Sequence, residues 1–237
     1  MGENYQRSIT LQVKDFIRGK LEDEMTPGSV LQPNAVIAEN FGVQEQIVGN
    51  ALDIMVKEGY LERIGDRYQV RGHKLERNME ELAGFTKSIR DNEREPSFKI
   101  ISKDVRIAGN KYAAMFGIKP EDKLIYIKRL CFADDEPISL ERTYIPYYLI
   151  PKMEGIDLSI FSVYEIYRMF GIYPATAKET LDLVRPGVND AKMLGLEPGS
   201  PTMLFESITY DTQGRAMEFN RNYTRGDKCN FKVHFYR

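Results

Sequence analysis

Glu141 and Glu218 form a carboxylate pair of the kind a glycosidase uses as acid and base. Nothing else in the chain supports catalysis. It has no Gly-x-Ser-x-Gly elbow, no phosphate-binding P-loop and no His-Glu-x-x-His zinc motif. Its two cysteines, Cys131 and Cys229, are too few for a disulfide framework or a cysteine-rich zinc site. Its two histidines, His73 and His234, leave little for a histidine-based one. The expectation is therefore no catalytic residue, no metal and no cofactor. Arg129 and Cys131 stand two apart in a strand-like run, so their side chains share one face. Nearer the N-terminus, Gln44, Gln46 and Asn50 carry amides that suit adenine edges. A basic cluster follows them: Arg63, Arg67, Arg71, His73 and Lys74.

The elements that must position these groups fall into two sets. Ile9, Val13, Phe16, Ile17 and Leu21 recur at helical spacing and predict an amphipathic helix over 8–23. Thr26-Pro27-Gly28 breaks it. A second helix fits 34–41, with Gly42 suited to its C-cap. A third fits 44–57, burying Ile47, Val48, Ala51, Leu52, Met55 and Val56. Strands at 60–64 and 67–71 flank Gly65-Asp66, a hairpin turn. Three helices and a hairpin make a winged helix-turn-helix, whose third helix is the one that enters a major groove. Residues 72–81 are polar and lack hydrophobic periodicity, and read as a linker. Beyond them, strand-like runs at 97–107, 124–133, 138–145, 178–184, 203–210, 217–223 and 230–235 alternate with helices at 82–91, 110–116, 162–170 and 189–194. Turn signals at 134–137 and 211–214 pair strands by hairpins, so the second half is an antiparallel sheet domain and the class is α+β. The expected division is 1–71, 72–81 and 82–237.

The 237 residues carry 33 basic and 35 acidic side chains, a formal charge of −2, with 42% hydrophobic and 29% charged residues. That is an ordinary globular composition with ample chain for a core. No run approaches the roughly 18 apolar residues of a membrane span, and the polar N-terminus has no signal-peptide pattern. The expectation is a cytoplasmic protein without a membrane partner. Near-neutral charge argues against a broadly basic nucleic-acid coat.

Several fragments resemble one family in order and spacing. In the first half they are Pro27-Gly28, Ile37-Ala38-Glu39-Asn40-Phe41-Gly42-Val43, Ala51-Leu52-Asp53 and Glu58-Gly59-Tyr60-Leu61. In the second they are Gly84-Phe85-Thr86, Glu136-Pro137-Ile138-Ser139-Leu140-Glu141-Arg142-Thr143-Tyr144-Ile145-Pro146, Leu194-Gly195-Leu196, Pro198-Gly199-Ser200-Pro201 and Tyr223-Thr224-Arg225-Gly226-Asp227. Together they resemble the HutC subfamily of GntR-type transcriptional regulators. These join a winged helix-turn-helix to a UTRA effector domain of chorismate-lyase-like fold. The resemblance implies a homodimeric, ligand-responsive DNA-binding regulator, read as a repressor. Its partners would be a double-stranded DNA operator and a small effector, a sugar phosphate or other anionic metabolite. It implies an effector site at Arg129 (facing the anionic group), Glu141 and Glu218 (accepting hydroxyls), Ser162 (a helix N-terminus), Tyr223 (an aromatic wall) and Phe85 and Thr86 (a further helix start). Cys131 stands where sugar-phosphate binders of the family often have the second arginine of Arg-x-Arg, which weakens the case for a doubly charged phosphate.

The DNA end departs from the family pattern. Ala35 holds the helix-two arginine position, Gln44-Glu45 replace the Ser-Arg pair, and Ile47 and Gly49 replace a hydroxyl and an arginine. The wing reads Gly65-Asp66-Arg67-Tyr68-Gln69. Residues 1–75 hold nine basic against eleven acidic side chains, so this half carries the whole net charge. The expected interface is wing-weighted: Gln44, Gln46, Asn50, Arg63, Arg67 and Arg71. Two other readings are a winged helix kept only as a scaffold for effector sensing, and a lyase-like small-molecule enzyme.

Overall fold

The computed structural model describes residues 2–72, 74–78, 85–158 and 162–234, the side chains of residues 2–4, 22 and 85 excepted. The chain divides into two compact units, Met1–Lys74 and Leu75–Arg237.

The first unit holds α1 (Gly2–Glu24), α2 (Asn34–Phe41), α3 (Glu45–Lys57) and a hairpin of β1 (Leu61–Ile64) and β2 (Arg67–Val70). α1 begins earlier than its apolar periodicity, because polar residues prolong a helix already seeded by packing. Its stripe of Val13, Ile17 and Leu21 is buried, together with Val48, Ala51, Leu52 and Met55 of α3 and Leu61, Tyr68 and Val70 of the hairpin. Gly42, at φ 62°, ends α2. Its N–H reaches the Glu39 carbonyl while the Val43 N–H reaches that of Ala38, which satisfies two carbonyls the helix end would leave open. The hairpin turns at Gly65, φ 61°. A short extended segment joins β2 on its other side, with Leu31 N–H donating to the Tyr68 carbonyl at 2.8 Å.

The second unit is built on a six-stranded antiparallel sheet. Its strands are β4 (Pro96–Ile107), β5 (Lys123–Ala133), β6 (Glu136–Pro146), β7 (Pro174–Val184), β8 (Thr202–Asp211) and β9 (Ala216–Thr224). Their order across the sheet is β4-β5-β6-β9-β8-β7. Helices α4 (Phe85–Asp91), α5 (Gly109–Phe116), α6 (Val163–Met169) and α7 (Val188–Met193) intervene. On one face α6 and the 147–158 loop bury Ile166, Tyr167, Leu149, Ile150 and Met153 against Ile127, Ile145 and Met217. On the other, α5 packs through Ala113 and Phe116 against Leu124 and Phe219. The sheet accounts for all the strand-like runs of the second half except the last.

That last strand, β10 (Cys229–Lys232), pairs in parallel with β3 (Leu75–Asn78) in a separate two-stranded ribbon. β3 falls inside the stretch read from sequence as linker, and residues 73 and 79–81 of that stretch lie outside the described residues. Four residues are too few to show periodicity, yet Leu75 is buried with Ile89, Ile138 and Cys229. Glu76 N–H donates to Asn92 Oδ1, and Asn92 Nδ2 donates back to the Glu76 carbonyl. If β3 is structural, Leu75→Ala lowers unfolding stability by about 2 kcal/mol or more. A free linker residue would cost almost nothing, and urea denaturation of the full chain separates the two.

Candidate functional site

Cross-strand register assembles the site. Arg129 lies opposite Glu141, Glu141 opposite Asn222, Asn222 opposite Phe205 and Phe205 opposite Leu181. The next row on the same face is Thr143, Asn220, Ser207 and Glu179. Side chains alternate along a strand, so these rows share one face, and all but Leu181 line one cleft. Val163 and Tyr164 of α6 and Arg77 of β3 complete its wall. The cleft encloses about 60 Å³, room for about two waters at roughly 30 Å³ each.

The polar centre is an ion pair. Arg129 Nε donates to Glu141 Oε2 at 2.6 Å, with both residues buried. Burial opposes the arginine's charge, but the Glu141 carboxylate outweighs it and holds Arg129 above its usual range. The Phe98 ring lies 4.4 Å from the guanidinium carbon. Arg129 Nη1 is buried without a hydrogen-bond partner. Such a donor costs roughly 1–3 kcal/mol unless something fills it. Glu218 is buried as well and accepts from the Tyr167 hydroxyl at 2.6 Å. Burial pushes its carboxyl up to about 7, against the Tyr167 hydrogen bond and with the Glu141 charge adding to the rise. Asn220 Nδ2 donates to Thr143 Oγ1 at 2.9 Å, and Thr224 Oγ1 to Asn222 Oδ1 at 3.1 Å. These contacts aim the amides along the floor.

Arg129, Glu141 and Glu218 thus come together as expected from sequence, and four other candidates do not join them in the cleft lining. Tyr223 lies on the opposite face, packed with Leu130, Leu140, Leu194 and Leu204 and 5.1 Å from the Arg142 guanidinium carbon. An odd separation from Glu218 along β9 forces that outcome. Ser162 caps α6: its Oγ accepts from Glu165 N–H at 3.1 Å, and Glu165 Oε2 accepts from Ser162 N–H at 2.7 Å. The capping box uses the donors an anion would need and sets a carboxylate there. Cys131 shares Arg129's face but is fully buried, and burial pushes its thiol up, so it stays uncharged. Thr86 lies in α4 and is not in the lining, while the Phe85 side chain is outside the described residues. Sequence reasoning missed Arg77, Thr143, Val163, Tyr164, Glu179, Phe205, Ser207, Asn220 and Asn222. Period-2 spacing from Glu218 already pointed to Asn220 and Asn222, and from Glu141 to Thr143. No local signal marked Arg77.

In the first unit, Gln44 is the N-cap residue of α3. Gln46 and Asn50 are exposed four residues apart on one helix face. Exposed Glu45 opens the same helix, where it favours the helix dipole but repels phosphate. The wing arginines are tethered locally. Arg67 Nη2 donates to the Leu31 carbonyl at 3.1 Å. Arg63 lies 3.9 Å from Asp53, and Arg71 3.9 Å from Glu62. His73 is outside the described residues.

A family model for the UTRA domain matches residues 91–230, more than half of the chain. Over 240 residues the chain is 27% identical to the HTH-type transcriptional repressor NagR of Bacillus subtilis (strain 168), covering 99% of this chain and 98% of that one. It is 24% identical over 227 residues to the mannosyl-D-glycerate transport/metabolism system repressor MngR of Escherichia coli (strain K12), covering 94% and 93%. In three dimensions it resembles the crystal structure of PhnF from Mycobacterium smegmatis, with TM-score 0.70 over 94% of this chain and 99% of that one; at 23% identity that likeness is one of fold. With a winged helix-turn-helix preceding a UTRA domain, the chain belongs to the GntR/HutC-type transcriptional regulators.

Proposed function

We propose that this protein is a homodimeric, cytoplasmic transcription repressor that releases its operator when a small polar anionic metabolite enters the cleft around Arg129. The observation that carries the reading is the buried, unpartnered Arg129 Nη1 in a cleft lined by amides and hydroxyls. It is a site complete except for an acceptor oxygen. The carboxylates favour binding over catalysis, since Glu141 is committed to Arg129 and Glu218 to Tyr167. No helix among the described residues is long and apolar enough to cross a membrane. Dimerisation is supported by β7, an edge strand with Leu181 52% and Leu183 67% exposed, which a solitary protomer would leave open to non-specific pairing.

Ligand filling the cleft would bias the separation of two winged helices, and operator half-sites have fixed spacing. Coupling extends only as far as the ligand distinguishes the two arrangements. Fluorescence anisotropy with DNA upstream of the protein's own gene, with and without phosphosugars and small organic acids, tests the whole reading. An affinity for that DNA no greater than for random sequence at low salt would reduce the winged helix to a scaffold.

On the DNA side, Arg67→Ala weakens binding more than Gln44→Ala and lowers the salt dependence by about one phosphate contact. The opposite ranking in the same titration would remove the wing-weighted interface. On the effector side, a carboxyl raised from 4.5 to about 7 binds its proton more tightly folded than unfolded. Its stabilisation is complete below about pH 4.5 and is lost as pH rises through about 7. The melting temperature of the second unit therefore falls across that window, and Glu218→Gln flattens the fall in a pH series of thermal melts.

A further inference from the structure

We infer that Arg77 is the residue that takes the charged group of the effector, supplying from β3 the second cation that Cys131 does not supply from β5. This rests on the effector reading above.

Arg77 is half-buried in the cleft wall, with its guanidinium carbon 5.2 Å from the centre of the Phe205 ring. Among the described residues no hydrogen bond or ion pair holds it. A guanidinium held over an aromatic face keeps N–H donors available, and its planar fork suits a carboxylate or phosphate. Glu179 faces it electrostatically but makes no ion-pair contact.

Arg129 is placed differently. Its charge is already matched by Glu141 at 2.6 Å, so that pair is neutral as a unit. Its free Nη1 suits a neutral hydroxyl or carbonyl oxygen. With the residue two positions on being a buried, uncharged thiol, no other described lining residue at that end of the cleft adds positive charge. Glu218 adds negative charge as pH rises.

Phe205 lies three strands from Arg129 in the same row, with Glu141 and Asn222 between them. At about 4.8 Å per strand that separates the two backbones by roughly 14 Å. The row therefore has a polarity: hydroxyls against Arg129, Glu141 and Asn222, and the anion at Arg77. The ligand class is a hydroxylated compound with its charge at one end, such as a hexose phosphate or a hexuronate.

Calorimetry on the full-length protein tests the assignment. A panel of hexose 6-phosphates and hexuronates is screened by thermal shift, and the best probe is titrated beside its uncharged hexose. The wild type binds the charged probe at least tenfold tighter. Arg77→Gln, and Arg77→Met, which keeps contact with Phe205, lose that preference, while Arg77→Lys retains most of it. Arg129→Gln weakens both probes alike and leaves the preference. Retention of the preference in both neutral Arg77 variants, or its loss in Arg129→Gln alone, overturns the inference and leaves the effector reading standing. A panel in which no probe shifts the wild type overturns the effector reading and this inference with it.

Discussion

The Arg129–Glu141 ion pair sets the terms for the rest of the second unit. Removing two charges from water costs several kcal/mol each, and the pair holds only where geometry is close and the remaining polar atoms are met. Direct opposition across β5 and β6 supplies the closeness. The Phe98 ring covers the guanidinium, and Thr143, Asn220 and Asn222 carry a hydrogen-bonded polar floor alongside. One donor is left unmet. Burial that would be a defect in a purely structural pair is what gives a ligand oxygen a strong reason to bind.

The same sheet keeps a second charge cluster on its opposite face, and the contrast is instructive. There Asp190 of α7 accepts from Lys128 at 2.9 Å and from Arg142, and these charges are matched. Burial is outweighed by the two cations, which hold the Asp190 carboxyl below its usual range. That cluster pins α7 to the sheet. The ligand-facing cluster differs in having an orphan donor and a carboxyl, Glu218, pushed towards neutrality.

The first unit shows a conflict of a different kind. Its core is complete, with Val48, Ala51, Leu52 and Met55 fully buried, so the winged helix is well built. Its surface is net acidic, and each expected wing arginine leans on a local acceptor. Exposed ion pairs near 4 Å are worth little and yield to a phosphate. The scaffold for DNA recognition is thus present, while most of the long-range attraction that usually accompanies it is not.

Much of this was legible in the residues themselves. Apolar periodicity located α1, α2 and α3, and alternation with turn signals located the six strands of the main sheet, because burial of one face imposes its period on the sequence. Arg129, Glu141 and Glu218 were recognisable by resemblance, and alternation alone would have excluded Tyr223 from their face. Ser162 reads as a helix start, and the Ser-x-x-Glu spacing to Glu165 already carries the capping-box pattern that the fold completes. β3 and Arg77 were invisible, since a four-residue parallel strand takes its hydrogen bonds from β10, more than a hundred residues away. The sequence by itself determined which faces are apolar and so which elements form. Which polar groups meet across strands, and which are left without a partner, was decided only in the tertiary structure, because register and burial are properties of the assembled sheet.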